Sequence, residues 1–406
     1  MYQAGDVPVD GFPVFAVAAY IAMAAWPLIV FFGSDRERKV YGLLACTVAL
    51  GASLWRFGQT PPGVCCMDTN ENMLIFYNTG RFHWSFLFLE SRAPMGQGFD
   101  FLPVYVFNRV FRNFYGERVV GLIFHLLIVL GASALLPRRG LLTGLALIAC
   151  APSLLWASRH MQGAPLLLGK LGLIGCLQVL RERWNWKAAL GALGCLSYLS
   201  WGYLPMRITY VFPVLWLWQR PRALLMIYLL FSVPLFLTLV ALRKYVQQPV
   251  EWRLLPRHLT TGSYRIPALG DVSLSLRSLV DPRGGVKTTA SHEGVQALPL
   301  TAVPFVLWGA MKGPFGIAAL AATTPDIFSE GAAGRSHRMM VNVLPLAFAA
   351  AQAPSHPVLG LLVAAEGIGR WVWISLYTRP LLWCWHNGYV GLNPCEHVEP
   401  RPVYCR

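Results

Sequence analysis

Long apolar runs recur along the whole of this chain, and few of them have a polar face. The first, FPVFAVAAYIAMAAWPLIVFFG, occupies Phe12 to Gly33. A helix that is apolar all round has to be enclosed, by protein or by lipid. Charged residues make up 13% of the chain and hydrophobic ones 55%, with mean hydropathy +0.49. Soluble domains are usually ~25% charged. The expected fold class is therefore an all-α polytopic membrane protein of about 12 transmembrane helices. Spans are predicted at 12–33, 40–55, 119–136, 141–157, 164–180, 188–203, 208–218, 223–242, 298–311, 314–324, 339–353 and 358–377. Several are short against the ~20 residues that a straight crossing needs.

Four basic loops set the orientation: SDRERK (Ser34 to Lys39), PRRG (Pro137 to Gly140), RERWNWK (Arg181 to Lys187) and QRPR (Gln219 to Arg222). Even numbers of predicted spans separate them, so all four fall on one side. The positive-inside rule makes that side cytoplasmic. Both termini are then extracytoplasmic, and the expected location is a bacterial cytoplasmic membrane. The flank MYQAGDVPVD is acidic, so a cleaved signal peptide is not expected. The net charge of +15 is read as topological, with some cations facing anionic headgroups, and no nucleic-acid motif is present. The domain reading is one transmembrane unit over 1–377 and an extracytoplasmic tail over 378–406.

Two long external connections remain, at 56–118 and 243–297. The first holds amphipathic stretches, LIFYNTG and FLPVYVFNRVFRNFYG, that read as helices lying in the interface. The second is turn-rich and carries Arg253, Arg257, His258 and Arg265, a cluster for an acidic acceptor or for lipid headgroups. Of nine cysteines, Cys46, Cys150, Cys176 and Cys195 lie in apolar runs and read as packing residues. Cys65, Cys66, Cys384, Cys395 and Cys405 fall outside, where a disulfide is chemically allowed and no pairing follows from spacing.

The candidate chemistry starts at Asp68-Thr-Asn-Glu71. Two acids three residues apart share a helix face. They cap a surface helix, or they act as a general base and a metal ligand at the membrane surface. Tyr77-Asn-Thr-Gly80 follows, then Phe101-Leu-Pro103-Val-Tyr105, then Gly116-Glu-Arg118 leading into a span. Later come Tyr203-Leu-Pro-Met-Arg207 and Ser336-His-Arg338 with Pro345. This order resembles the GT-C superfamily of integral-membrane glycosyltransferases, in particular its protein mannosyltransferase and aminoarabinose transferase branches. The resemblance spans roughly 40–377 and rests on motif order.

The resemblance implies a GT-C-like fold. It also implies transfer of a sugar from a polyprenyl-phosphate carrier to a lipid, glycan or protein acceptor outside the cytoplasm. Asp68 is the implied base, and Glu71 a second base or a metal ligand. Arg207, Arg338, Lys170 and Arg159 are the implied phosphate ligands. His160, Tyr77, Tyr105 and Asp100 are further substrate or metal candidates, and a divalent cation (Mg or Mn) is compatible with the acids. The loop Ser158-Arg-His160-Met-Gln-Gly163 departs from the family in lacking an acid. That leaves open a non-catalytic subunit of the same fold. An O-antigen-ligase-like transferase that uses the 243–297 loop is a further alternative. A transporter is disfavoured, because no internal repeat is visible.

Lys170 lies inside an apolar run, where an ammonium costs ~2.5–3.5 kcal/mol on insertion scales. Snorkelling outward or contact with a phosphate would account for it. Glu366 and Arg370 stand four residues apart and are expected to pair on one helix face.

Overall fold

The structure is a computed structural model that describes residues 14–55, 116–157, 164–201, 209–246, 299–312, 314, 343–354 and 356–377. Its regular structure is helical throughout the described residues. The helices are α1 (Val14–Gly33), α2 (Arg36–Leu54), α3 (Gly116–Leu135), α4 (Leu141–Cys150), α5 (Pro152–Ala157), α6 (Ala164–Glu182) and α7 (Trp186–Trp201). They continue with α8 (Phe212–Leu217), α9 (Pro221–Val246), α10 (Val303–Ala310), α11 (Val343–Ala350) and α12 (Pro357–Tyr377). Short 3-10 turns at Arg138–Gly140 and Leu300–Ala302 lead into α4 and α10.

The all-α expectation stands, but the expected array of about 12 transmembrane helices is corrected. Among the described residues no helix is long and apolar enough to cross a membrane. Local chemistry shortens the elements. The predicted span 141–157 breaks at Ala151, whose extended backbone (φ −61°, ψ 127°) ends α4 directly before Pro152. Among the described residues, the span 208–218 divides into a 3-10 turn at 209–211 and the six-residue α8, and 298–311 divides into a 3-10 turn and the eight-residue α10. Helix α2 starts earlier than predicted, at Arg36. Asp35 caps it by accepting from the Arg38 backbone N–H at 3.1 Å, so the charged run of SDRERK becomes the helix's first turn. Of the predicted span 314–324, only residue 314 is among those described.

The core follows from patterning. LLTGLALIAC is apolar on every face, and all of α4 is buried except Leu142. VLPLAFAA, the whole of α11, is buried as well. These two helices are the interior, and α2, α3, α10 and α12 surround them. A second packed layer joins α3 to α6, α6 to α7 and α8, and α7 to α9. The outer faces are themselves apolar. Ile29, Phe32, Leu43, Leu44, Leu229 and Leu361 are all exposed.

Close helix approach depends on small residues. A Cβ on Gly309 of α10 would fall 1.6 Å from the Ala349 carbonyl oxygen of α11. One on Gly367 of α12 would fall 2.5 Å from the Cys150 oxygen of α4. We therefore expect Gly309→Ala to separate α10 from α11 and destabilise the fold by at least ~1–3 kcal/mol. Gly194→Ala, where a Cβ meets nothing within 4 Å, is expected to be neutral or to stabilise by up to ~1 kcal/mol. Thermal unfolding of the two variants, followed by helical circular dichroism, reads the contrast.

Candidate functional site

Lys170 is fully buried in α6, six residues after the helix begins at Ala164. It does not snorkel. Its Nζ lies 5.3 Å from the centroid of the Phe212 ring on α8, and that ring packs against Trp216 at 5.4 Å. Leu166, Leu167 and Leu171 are buried on the same helix. Burial of an ammonium in such surroundings is costly without compensating contacts, and an aromatic face supplies one. Phe212 stands five residues after Arg207 in the chain.

Arg207 itself lies outside the described residues. So do Asp68, Glu71, Tyr77, Asp100, Tyr105, Arg159, His160 and Arg338. Of the residues proposed for the site, the structure describes Lys170. No group of three His, Cys, Asp or Glu side chains suited to a metal occurs among the described residues.

Glu366 and Arg370 form the pair that their spacing suggests, with Arg370 Nη2 and Nε donating to Glu366 Oε1 at 2.7 and 2.9 Å. The carboxylate does more than this. It accepts from the backbone N–H groups of Leu300 and Thr301 at 2.7 and 2.8 Å, and from the Thr301 hydroxyl at 2.7 Å. An acid on α12 therefore caps the 3-10 turn that starts α10, where the orphan N–H groups and the helix dipole favour an anion. Sequence spacing showed the arginine but not this partner, which comes from 65 residues away.

His125 of α3 is buried, and its Nε2 donates to the Ile148 carbonyl of α4 at 2.8 Å. The ring's Nδ1 has no hydrogen-bond partner. Trp371 of α12 donates to the Ala52 carbonyl of α2 at 2.9 Å. These side chains tie the surrounding helices to α4 and to each other.

The four basic loops meet at one end of the helical body. Leu171 packs beside Gly131 and Gly175 beside Leu135, so α3 and α6 run in the same direction and their C-termini point to the same end. Arg138 Nη2 reaches Asp35 Oδ2 at 2.7 Å, and Arg38 Nη1 donates to the Ser133 carbonyl at 2.7 Å, which joins the first two loops. Arg220 donates to the Glu182 carbonyl, which joins the other two. Cations at helix C-termini also complement the helix dipoles. The backbone N–H of Arg38 and the Arg138 guanidinium hold the Asp35 carboxyl below its ordinary value.

Comparison with known protein families, curated proteins and solved structures finds no match to this chain.

Two expectations follow from these charges. Glu366→Ala should cost ~1.5–3 kcal/mol, because it strips the cap from α10 and removes an ion-pair partner of Arg370. A double-mutant cycle with Arg370→Leu, read in chemical denaturation, should show a favourable coupling energy between the two side chains. At the other end, Asp35 has a lowered folded pKa, so its stabilisation is present above the ordinary value of 3.8 and fades as pH falls through the folded value. The melting difference between wild type and Asp35→Asn should therefore be full at pH 7 and shrink below about pH 4.

Proposed function

We propose that the chain is a glycosyltransferase. It moves a sugar from a polyprenyl-phosphate carrier to an acceptor hydroxyl on the extracytoplasmic side of a bacterial cytoplasmic membrane. The observation that carries this reading is the pairing, in one helical body, of an apolar exterior with the buried amine of Lys170. A polyprenyl phosphate has the same two halves, a long hydrocarbon and an anionic head. Exposed apolar faces on this scale mark contact with lipid or a partner, and such contact does not require a crossing helix. The motif order from Asp68 to Arg338 supports the same reading from the sequence side.

Asp68 takes the proton of the acceptor hydroxyl, and the freed oxygen attacks the anomeric carbon of the sugar. The bond from that carbon to the phosphate oxygen breaks, and its electron pair leaves with the phosphate. The transition state is oxocarbenium-like, and displacement from the opposite face inverts the anomeric centre. Lys170, Arg207, Arg338 and Arg159 are the cations assigned to the phosphate, whose negative charge grows as it leaves. Glu71 stands as the second acid. No step is assigned to a divalent cation.

Two variants test this reading on protein in nanodiscs, with a panel of polyprenyl-phosphate sugars. Asp68→Asn should lower turnover by about 10²–10⁴-fold while carrier binding is kept. Lys170→Met keeps most of the side-chain volume and removes the charge, and circular dichroism verifies that the variant folds. It should bind the carrier about tenfold or more weakly. Equal turnover by wild type and Asp68→Asn would refute the mechanism. Carrier binding without turnover of any sugar in the panel would favour a non-catalytic subunit.

A further inference from the structure

Helix α4 stops where Ala151 turns extended before Pro152. In a continuing helix the Ile148 carbonyl would accept from the backbone N–H of residue 152. That residue is proline, which has no N–H to give. The carbonyl is met instead from another helix, by Nε2–H of His125 on α3 at 2.8 Å. An imidazole thus stands in for a missing backbone donor at the joint between α4 and α5. The joint is enclosed. Leu147 through Ala151, Leu154 and Leu155 are buried, and α2, α3 and α12 pack on both α4 and α5. Gly367 lets α12 lie close against the Cys150 carbonyl.

We propose that His125 is a proton-operated latch on the α4–α5 joint, closed while the ring is neutral and released when the ring is protonated. Three features of the geometry carry this. The ring is only 1% exposed. Its Nε2–H is already committed to Ile148, and its Nδ1 has no hydrogen-bond partner. A proton added at Nδ1 creates a second N–H, on a cation, with no acceptor in the closed joint. Burying such a charge is costly, and the cost falls once the ring reaches water. It reaches water when α3 and α4 part at Ile148, which also frees the carbonyl that Pro152 cannot serve. A side-chain amide or an indole would make the same single bond without this consequence, because neither takes up a proton near neutral pH.

No neighbouring charge offsets the cost. At the level of His125, α2 presents Cys46, whose Sγ donates to the Leu126 carbonyl at 3.6 Å. Helix α4 has Cys150 as its titratable residue, α5 has none, and α1 has Tyr20. On α6 stand Lys170, Cys176, Arg181 and Glu182, and on α12 Glu366 and Arg370 are engaged with each other. None of these acts electrostatically on the ring. Burial pushes it down from its ordinary 6.5 to about 4, against a smaller opposing pull from the Ile148 bond. The folded value is the lower one, so closure is fully favoured above pH 6.5 and weakens as pH falls from there toward about 4. Asp35 and Glu366 are both held below their ordinary carboxylate values, so they stay charged over most of this window.

Hydrogen exchange of the full chain in nanodiscs tests the latch, read by mass spectrometry between about pH 7 and pH 5 and divided by each amide's intrinsic rate. In wild type, peptides covering 144–157 should exchange up to about tenfold faster per pH unit below ~6.5, the slope of one coupled proton. Peptides from α7 and α9, in the other packed layer, should stay flat. His125→Gln keeps an N–H for Ile148 and cannot take a proton, so its 144–157 profile should be flat as well. A wild-type profile no steeper than the intrinsic rate would overturn the proposal. So would an equal slope in His125→Gln, or a rise shared equally by α7 and α9, which would mark general acid unfolding. Circular dichroism verifies that the variant folds. If it does not, the wild-type contrast between 144–157 and the α7 and α9 peptides decides by the same criteria. The readout involves no sugar transfer, so its failure and that of the transferase reading are distinguishable.

Discussion

The contact on which the rest of this fold depends is backbone against backbone, between helices whose interfaces carry glycine and alanine. Helices α4 and α11 have no polar face, so they are stable only when enclosed. Gly140 and Gly144 bring α4 and the turn before it against Ala347, Ala351 and Ala353, while Gly360 and Gly367 bring α12 against α4. Dispersion acts over a short range, and small residues let many atoms of two helices enter that range together. The outer helices are then placed by what they must cover. Their own outward apolar residues remain exposed.

This packing sorts the charges. No cation can sit between α4 and α11, so cations collect at the loops, where helix C-termini and solvent stabilise them. Among the described residues Lys170 and Arg370 are the exceptions, and Lys170 is buried against Phe212 on the smaller α6–α8 layer rather than in the α4–α11 interior. Glu366 and Arg370 show the same logic in another form. Their helix face meets the start of α10, and there the carboxylate has five donors to satisfy.

Apolar patterning made the helical class legible, along with the approximate centres of most helices, because enclosure of apolar faces is a local and cumulative demand. Helix ends were legible in part. The Ala151-Pro152 step was a stop signal in plain sight, and Asp35 before Arg36 was a cap, but the predicted 141–157 span ran through the first and the predicted 40–55 span began beyond the second. Long-range chemistry was not legible. Nothing near Leu300 in sequence indicates that Glu366 caps it. Nothing in QRPR indicates that Arg220 reaches the Glu182 carbonyl, so its arginines were read only as a topological signal. The length of each apolar run misled most, since hydropathy counts residues and does not register a break in the backbone. The acids from which the proposed chemistry begins, Asp68 and Glu71, lie outside the described residues, so that reading still rests on sequence order.

Lys170 lies near the start of α6, and Arg181 lies eleven residues later, ~16 Å further along the axis. The buried amine and the basic end are therefore separated by most of the helix, and at that distance their charges are largely screened from each other. What links them is packing. Helix α8, whose Phe212 lies against Lys170, packs on α9, and the turn between α8 and α9 carries Arg220, which donates to the Glu182 carbonyl at the end of α6. The two ends of α6 are thus tied to the same short helix, one through an aromatic ring and the other through a guanidinium.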